Sequence, residues 1–180
     1  MDLNGIITEV EQQAGRNFSS LDTTQLNWKP SPEKWSIGQC LEHLVISNRN
    51  YFPFFDKILA GTYKLGFFQR LNPFKKLTGS YMVRSLGPEL KKKFKSPRIF
   101  RPSLSEVNPA IVEEFLDQQS IIRNYFDRLK SMPTGKFYMA SPVTPMIVYS
   151  VQAAMEIIAV HEQRHLNQAI TVMNHPNFPK

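Results

Sequence analysis

The chain has 180 residues, of which 42% are hydrophobic, and this size favours one globular domain with its own core. Its single cysteine, Cys40, excludes an intrachain disulfide scaffold. The net charge of +7 is concentrated in one segment, residues 62–101, which holds eleven lysine or arginine residues and one acid. We find no signal peptide and no membrane-spanning pattern, and therefore expect a cytoplasmic protein.

Two helical patterns occupy the first third of the chain. The first spans about Leu3–Phe18, where apolar residues recur every three or four positions. The second begins at Ser36, which forms the pattern of an N-terminal capping box with Gln39. Gly61 is expected to end this helix, and Pro53 to kink it, because proline removes a backbone hydrogen bond.

The basic segment, residues 62–101, follows and shows no clear period apart from a predicted short helix near residues 88–94. Its cations alternate with aromatic residues such as Phe67 and Phe68, a combination that can bind nucleic acid or an anionic membrane. We favour the interpretation that residues 62–101 are a solvated connection that binds neither partner.

Two further helices are predicted in the second half of the chain. One begins at Asn108-Pro109, a capping residue followed by proline at the first helical position. The other begins in the same way at Thr144-Pro145 and runs to about Met173. We predict no strand. The expected fold is therefore all-α, a four-helix bundle in a single domain, with a long crossover connection between helices two and three.

Histidines lie on the apolar face of the last helix. His161 and His165 are one turn apart, so their imidazoles point the same way. Each could be a neutral core histidine with a hydrogen-bond partner, but the pair also suits capture of a divalent metal. His43, at the edge of the apolar face of the second helix, would complete a three-imidazole site with an open position for water or substrate. His175 is expected at the surface.

The same residues, 161–165, match the H-E-x-x-H motif of zinc metallopeptidases. The extended motif requires glycine at Gln168 and histidine at Thr171, and no acid follows Glu162 to serve as the third ligand. A metallopeptidase is therefore the less favoured function. Glu162 itself is either a partly buried acid paired with an arginine, or a catalytic residue that supports a ligand or accepts a proton.

The histidine segments read W-S-x-x-x-x-x-x-H at residues 35–43 and H-x-x-x-H at residues 161–165. Together they resemble the motifs of the DinB/YfiT-like superfamily of small metal-binding four-helix bundles. The resemblance spans residues 21–173 and implies that His43, His161 and His165 are the metal ligands. Residues 62–101 depart from the short connection found in many members of that superfamily.

The resemblance implies a metal-dependent enzyme that acts on a small molecule. Its reaction would be transfer of a low-molecular-weight thiol such as bacillithiol or mycothiol, thiol-dependent isomerisation, or hydrolysis, and a homodimer would be typical. Zn²⁺ or Ni²⁺ is the expected ion, because imidazole suits both. Cations of residues 62–101 could bind the carboxylates of an acidic thiol, and Trp35 belongs either to the core or to a pocket wall. A non-catalytic metal-binding stress-response module is the alternative.

Overall fold

The computed structural model describes residues 1–88, 96–103 and 106–180. The helices are α1 (Leu3–Phe18), α2 (Thr23–Asn27), α3 (Ile37–Arg49), α4 (Phe52–Leu59), α5 (Phe67–Arg70), α6 (Lys75–Leu86), α7 (Ile111–Lys130) and α8 (Val151–Met173). A 3₁₀ turn covers Arg98–Phe100, and two short antiparallel strands, β1 (Tyr138–Ala140) and β2 (Val148–Ser150), pair with each other. The all-α prediction is confirmed, whereas the prediction of no strand is wrong.

The four longest helices form the framework of the molecule. α3 packs against α7 and α8, and α1 packs against the same two helices. Their apolar stripes bury two clusters, one containing Phe126 and Tyr149 and the other containing Leu41 and Phe115. Each fully buried side chain of this size stabilises the fold by about 1.5–3 kcal/mol. No helix within the described ranges is both long enough and apolar enough to cross a bilayer.

The second predicted helix is two helices in the structure. The capping box is present, since Ser36 Oγ accepts from Gln39 N at 3.1 Å and Gln39 Oε1 accepts from Ser36 N at 3.3 Å. α3 ends at Arg49, and Pro53 lies in the first turn of α4, where a helix needs no N–H donor. The predicted kink is therefore wrong, because the proline begins a new helix. Gly61, with a φ of 69°, ends α4 as expected.

α7 begins two residues after the predicted proline. Asn108 and Pro109 form a turn in front of the helix, in which Asn108 Oδ1 accepts from Ala110 N at 2.9 Å. The first helical residue is Ile111. Asn108 therefore stabilises the turn that precedes α7, and the N-cap of the helix is Ala110.

α8 begins later than predicted because a strand intervenes. Thr144-Pro145 lies in the connection between β1 and β2, and β2 runs directly into the helix. Ser150 is the N-cap, and its side chain accepts from Ala153 N at 3.1 Å. The β1–β2 pair therefore fixes where α8 starts, six residues beyond Pro145.

Residues 62–101 contain more structure than a solvated connection. α5 and α6 lie within them, and α6 packs against α8 and β2. Gly79 makes this approach close, because a Cβ atom there would lie 2.8 Å from Ala153 Cβ. The short helix predicted near residues 88–94 falls almost entirely on residues 89–95, which lie outside the described part of the chain.

Candidate metal centre

Three histidine side chains from two helices meet at one pocket. Nε2 of His43, on α3, lies 3.2 Å from Nε2 of His161, on α8. One ring nitrogen from each of His43, His161 and His165 lies within 4.8 Å of the other two. His175 is not part of this group; it is partly buried and packs against Trp28, with ring centroids 5.2 Å apart. The structure therefore brings together the three histidines that the sequence singled out.

A backbone carbonyl orients the ring of His43. Its Nδ1 lies 2.5 Å from the Phe100 carbonyl oxygen, which can only accept, so Nδ1 carries the hydrogen and Nε2 presents a lone pair. Phe100 is held in place because Gln39 Nε2 donates to the Ser103 carbonyl and Ser103 N donates to Glu42 Oε2, both at 2.7 Å. Polar side chains of α3 thus anchor the segment that orients the histidine on the same helix.

Gln168 orients His165 in a similar way. The Nδ1 atom of His165 lies 3.1 Å from Oε1 of Gln168, one turn further along α8. Because the carboxamide oxygen accepts, Nδ1 donates and Nε2 of His165 is left unprotonated. From the sequence, Gln168 was noted as a departure from the metallopeptidase motif and was not predicted to be a partner of His165. Its place three residues after a histidine is the signal that could have identified it as a partner.

Burial keeps the three imidazoles neutral. Desolvation lowers the pKa of His43 to about 4, outweighing the opposite effect of the hydrogen bond to Phe100. Desolvation, then the neighbouring His43, lowers the pKa of His165 to about 3. The pKa of His161 also lies well below its usual range, first through desolvation and then through the two other histidines. Neutral imidazole is the form that binds a metal ion.

The donor set fits a divalent metal ion. Imidazole nitrogens bind zinc at about 2.0–2.1 Å, which places two ligands of a tetrahedral ion about 3.3 Å apart. The separation of the Nε2 atoms of His43 and His161, 3.2 Å, agrees with that spacing. Three neutral nitrogen ligands suit ions that bind imidazole, and in two of them Nδ1 already donates a hydrogen bond, as is usual for histidine ligands.

The pocket beside the histidines has a volume of about 1170 Å³. Trp35 is a partly buried wall of it, with its ring stacked on His165 at a centroid distance of 5.6 Å and 4.8 Å from that of His43. Met82 and Leu86 of α6 line another part of the pocket. Trp35 also packs against a core cluster, so both expected roles of this residue are present.

The charged lining of the pocket is mostly positive. Among the described lining residues, four are cations and one is an acid: Lys29, Lys34, Arg101, Arg164 and Glu33. Arg101 belongs to the basic segment, residues 62–101, whereas the other three cations do not. Of the cations of residues 62–101 that were expected to bind an acidic ligand, only Arg101 is among the described lining residues, and the other lining cations come from elsewhere in the chain.

Glu162 is fully buried among amide side chains and does not line the pocket. Its Oε1 accepts from Asn48 Nδ2 at 2.8 Å and from Gln119 Nε2 at 3.2 Å. Its Oε2 has no hydrogen-bond partner within the described residues. Desolvation raises the pKa of Glu162 to about 7. The hydrogen bonds from Gln119 and Asn48 lower the pKa, but their effect is smaller than that of desolvation. The hydrogen-bond partners of this acid are thus amides, which link α8 to α3 and α7.

A scan against protein-family models identifies the family. The model of the DinB superfamily matches residues 7–169, a range that includes all three histidines. The chain belongs to the DinB superfamily. No curated protein and no solved structure matches it. The resemblance found in the sequence is confirmed, and the three-histidine group fits a metal-binding DinB-like protein.

Several polar residues of this DinB-superfamily site were missed from the sequence. Ser47, one turn after His43, lines the pocket, and its buried Oγ has no partner within the described part of the chain. Gln118 and Gln119 are buried on the core side of α7. Their signal was present, because they occupy the apolar stripe three and four positions after Phe115. The Phe100 carbonyl has no such signal, since any residue supplies a carbonyl.

Proposed function

We propose that this DinB-superfamily protein is a metal-dependent enzyme that acts on an anionic small molecule, as a thiol S-transferase or a hydrolase. His43, His161 and His165 would hold one divalent ion, either Zn²⁺ or Ni²⁺. The observation that carries the proposal is the meeting of three imidazole groups, those of His43 and His165 buried and that of His161 partly buried, within 4.8 Å beside a large pocket. Buried polar nitrogens are costly without a partner, and a bound metal ion supplies one.

The number of ligands favours a catalytic site over a structural one. Three protein ligands leave a coordination position for an exogenous group, whereas structural zinc sites are closed by four. When bound, the ion would lower the pKa of a water molecule or a thiol and so supply a nucleophile at neutral pH. Trp35 would exclude solvent from one side of the site, because its ring packs on His43 and His165.

The charge of the pocket supports an acidic substrate or thiol. The four cations of its lining, Lys29, Lys34, Arg101 and Arg164, can form charge-assisted hydrogen bonds with carboxylates. Low-molecular-weight thiols that carry carboxylates have this chemistry. The opposing charge of Glu33 lies on an exposed side chain.

For Glu162 we propose a positioning role. Its hydrogen bonds to Asn48 on α3 and Gln119 on α7 hold α8 against both helices, and thereby hold the adjacent His161 opposite His43. A peptidase of the H-E-x-x-H class needs this glutamate to reach a water molecule on the metal. The burial of Glu162 outside the pocket lining argues against that function.

A non-catalytic metal-binding stress-response module is the second candidate. It is favoured by the scarcity of acid–base groups in the pocket, where Glu33 is the one acidic residue of the described lining. The two candidates share the metal ligands and differ in turnover. They are therefore separated by an activity measurement and not by metal content.

The first experiment is to measure metal content by elemental analysis of freshly purified protein and of histidine variants. We expect one ion per chain in the wild type and in the His175→Ala control, and a sharp loss in His43→Ala with an unchanged helical signal. Full retention of metal by His43→Ala would contradict the ligand assignment.

The second experiment is to mix the metal-loaded protein with an electrophilic test substrate and, in turn, bacillithiol, mycothiol, glutathione and cysteine. An ester substrate without thiol tests hydrolysis. Turnover that depends on metal and on His161 supports the enzyme. Stoichiometric metal without turnover of any of these substrates would favour the binding module.

A further inference from the structure

The outward face of α5 and α6 is strongly apolar. Six large apolar side chains within residues 67–81 are between 64% and 86% exposed: Phe67, Phe68, Leu71, Phe74, Leu77 and Tyr81. We call this surface, together with the basic side chains beside it, the α5–α6 face. Single exposed apolar residues are normal on a protein surface, but six large ones within residues 67–81 point to an interaction site.

The apolar residues of the outer side of α6 are not the ones that pack against the rest of the protein. Gly79, Met82 and Leu86 belong to the inner side of α6, where Gly79 approaches α8 and the other two line the pocket. Leu77 and Tyr81 are one turn apart on the outer side. Within residues 1–88, 96–103 and 106–180, the outer side is exposed.

The apolar surface continues onto the connection between the strands. Phe67 and Phe68 line a cleft of about 440 Å³ together with Pro145 and Met146. Met146 is 83% exposed. Gln69 Nε2 donates to the Pro145 carbonyl oxygen at 2.9 Å and so ties α5 to this connection. The α5 part of the face is therefore tied to residues 145 and 146 by a shared cleft and a hydrogen bond.

The charge of the α5–α6 face is positive. Residues 62–88 contain five lysine or arginine residues and no aspartate or glutamate. Lys64, Arg70, Lys76 and Arg84 are exposed. A second copy of the chain bound by two-fold symmetry through this face would place one basic surface against another. Nucleic acid would contact the cations and could stack bases on the aromatic rings, but it would leave the exposed aliphatic side chains of Leu71 and Leu77 uncovered.

We propose that the α5–α6 face binds the surface of an anionic phospholipid bilayer. Phe67, Phe68 and Phe74 would enter the interfacial region, and the cations would contact the lipid headgroups. The contact would be peripheral, because no helix in the described ranges can span a bilayer. The proposal does not depend on the metal site.

The test uses full-length protein and sedimented vesicles of phosphatidylcholine, with and without phosphatidylglycerol. We expect binding to the anionic vesicles, reduced but not abolished by salt, and little binding to phosphatidylcholine alone. The double variant Phe67→Ser/Phe68→Ser should lose at least about tenfold in affinity. Its matched control is Ile121→Ser, which removes an apolar side chain that is 44% exposed on α7.

A charge variant tests the electrostatic part separately. Each lysine near the bilayer contributes about fivefold to binding, so Lys64→Glu/Lys76→Glu should weaken binding by about 25-fold or more. Arg128→Glu, on the exposed surface of α7, is the control and should bind like the wild type. Circular dichroism of every variant verifies that the helical signal is retained.

Several results would overturn the proposal. One is the absence of binding to anionic vesicles. Another is an equal loss of vesicle affinity in Ile121→Ser and in Phe67→Ser/Phe68→Ser. Binding that salt abolishes and that the phenylalanine variant does not change would assign the face to purely electrostatic partners such as nucleic acid. A dimer in sedimentation velocity that this variant dissociates, without vesicle binding, would assign it to a second copy of the chain.

Discussion

Replacing Glu162 with glutamine should make the protein more stable at neutral pH. The substitution Glu162→Gln keeps the shape of a fully buried side chain and removes its ability to ionise. The amide oxygen can accept the same hydrogen bonds from Asn48 and Gln119 that the carboxylate oxygen accepts now. The stability difference between the two proteins therefore reports mainly the cost of a buried charge.

The size and pH range of this difference follow from the pKa of Glu162. Burial raises it from an ordinary value of 4.5 to about 7. A carboxyl group of this kind contributes its full stability below the unfolded pKa and loses it as the pH rises through the folded pKa, because the unfolded chain ionises first. Each pH unit in this window costs about 1.4 kcal/mol, so the wild type should carry a penalty of about 3 kcal/mol above pH 7.

The histidines change stability in the opposite direction and must be separated from this effect. The folded pKa values of His43 and His165 are about 4 and about 3, below the ordinary value of 6.5. Their contribution to the stability of the folded state is fully present above pH 6.5, and it is lost as the pH falls through the folded pKa. Both proteins share this loss, so the difference between Glu162→Gln and the wild type isolates the carboxyl group.

The assay is urea unfolding of both proteins in the presence of a chelator, from about pH 4 to about pH 8. We expect equal stability at the acid end and a growing advantage of Glu162→Gln toward neutral pH. Glu113→Gln, an exposed acid on the same helix as Gln119, is the control and should follow the wild type. A difference that does not change with pH, or a variant less stable than the wild type at pH 8, would refute the reasoning.

Three further predictions concern the metal, the pocket wall and the α6–α8 contact. Zinc in about hundredfold excess over its dissociation constant should raise the Tm of metal-free protein by about 5–10 °C. Because burial lowers the pKa of His43 to about 4, this shift should persist at pH 5; its absence there would contradict the burial of the site. Ni²⁺ should quench tryptophan fluorescence in the wild type and in Trp28→Phe but not in Trp35→Phe, since Trp35 lies 4.8 Å from His43 between ring centroids. Equal quenching in both variants would place the ion elsewhere. Gly79→Ala should destabilise the protein by about 1–3 kcal/mol in urea unfolding, because its Cβ would lie 2.8 Å from Ala153 Cβ. The matched Gly15→Ala, where the nearest atom to the added Cβ is 4.0 Å away, should stabilise the protein by up to about 1 kcal/mol. Equal losses of stability in the two variants would contradict the steric argument at Gly79.

Features that depend on near neighbours in the chain could be predicted from the sequence. The bounds of α1, the capping box at Ser36 and the end of α4 at Gly61 agree with the structure. The pairing of His161 with His165 also follows from the sequence, because residues one helical turn apart share a face. In each case the interacting groups lie within about one turn of each other, and the pattern contains the necessary information.

Other features were decided by packing between distant parts of the chain. Pro53 lies in the first turn of a new helix instead of kinking a longer one. The start of α8 is displaced because β2 pairs with β1 through backbone hydrogen bonds. His43 meets His161 across 118 residues, and its ring is oriented by the Phe100 carbonyl, 57 residues away. Neither distance is encoded in a local pattern.

Glu162 also combines a feature that the sequence predicts with features that only the packing of the helices decides. Its position beside His161 can be read from the sequence, but its burial and its amide partners depend on three helices packing together. Desolvation acts on a side chain only when the rest of the fold removes its water, so the raised pKa of this acid is a property of the tertiary structure. The sequence by itself determined which groups could form the site, and packing decided their tautomers, their protonation and the pocket they face.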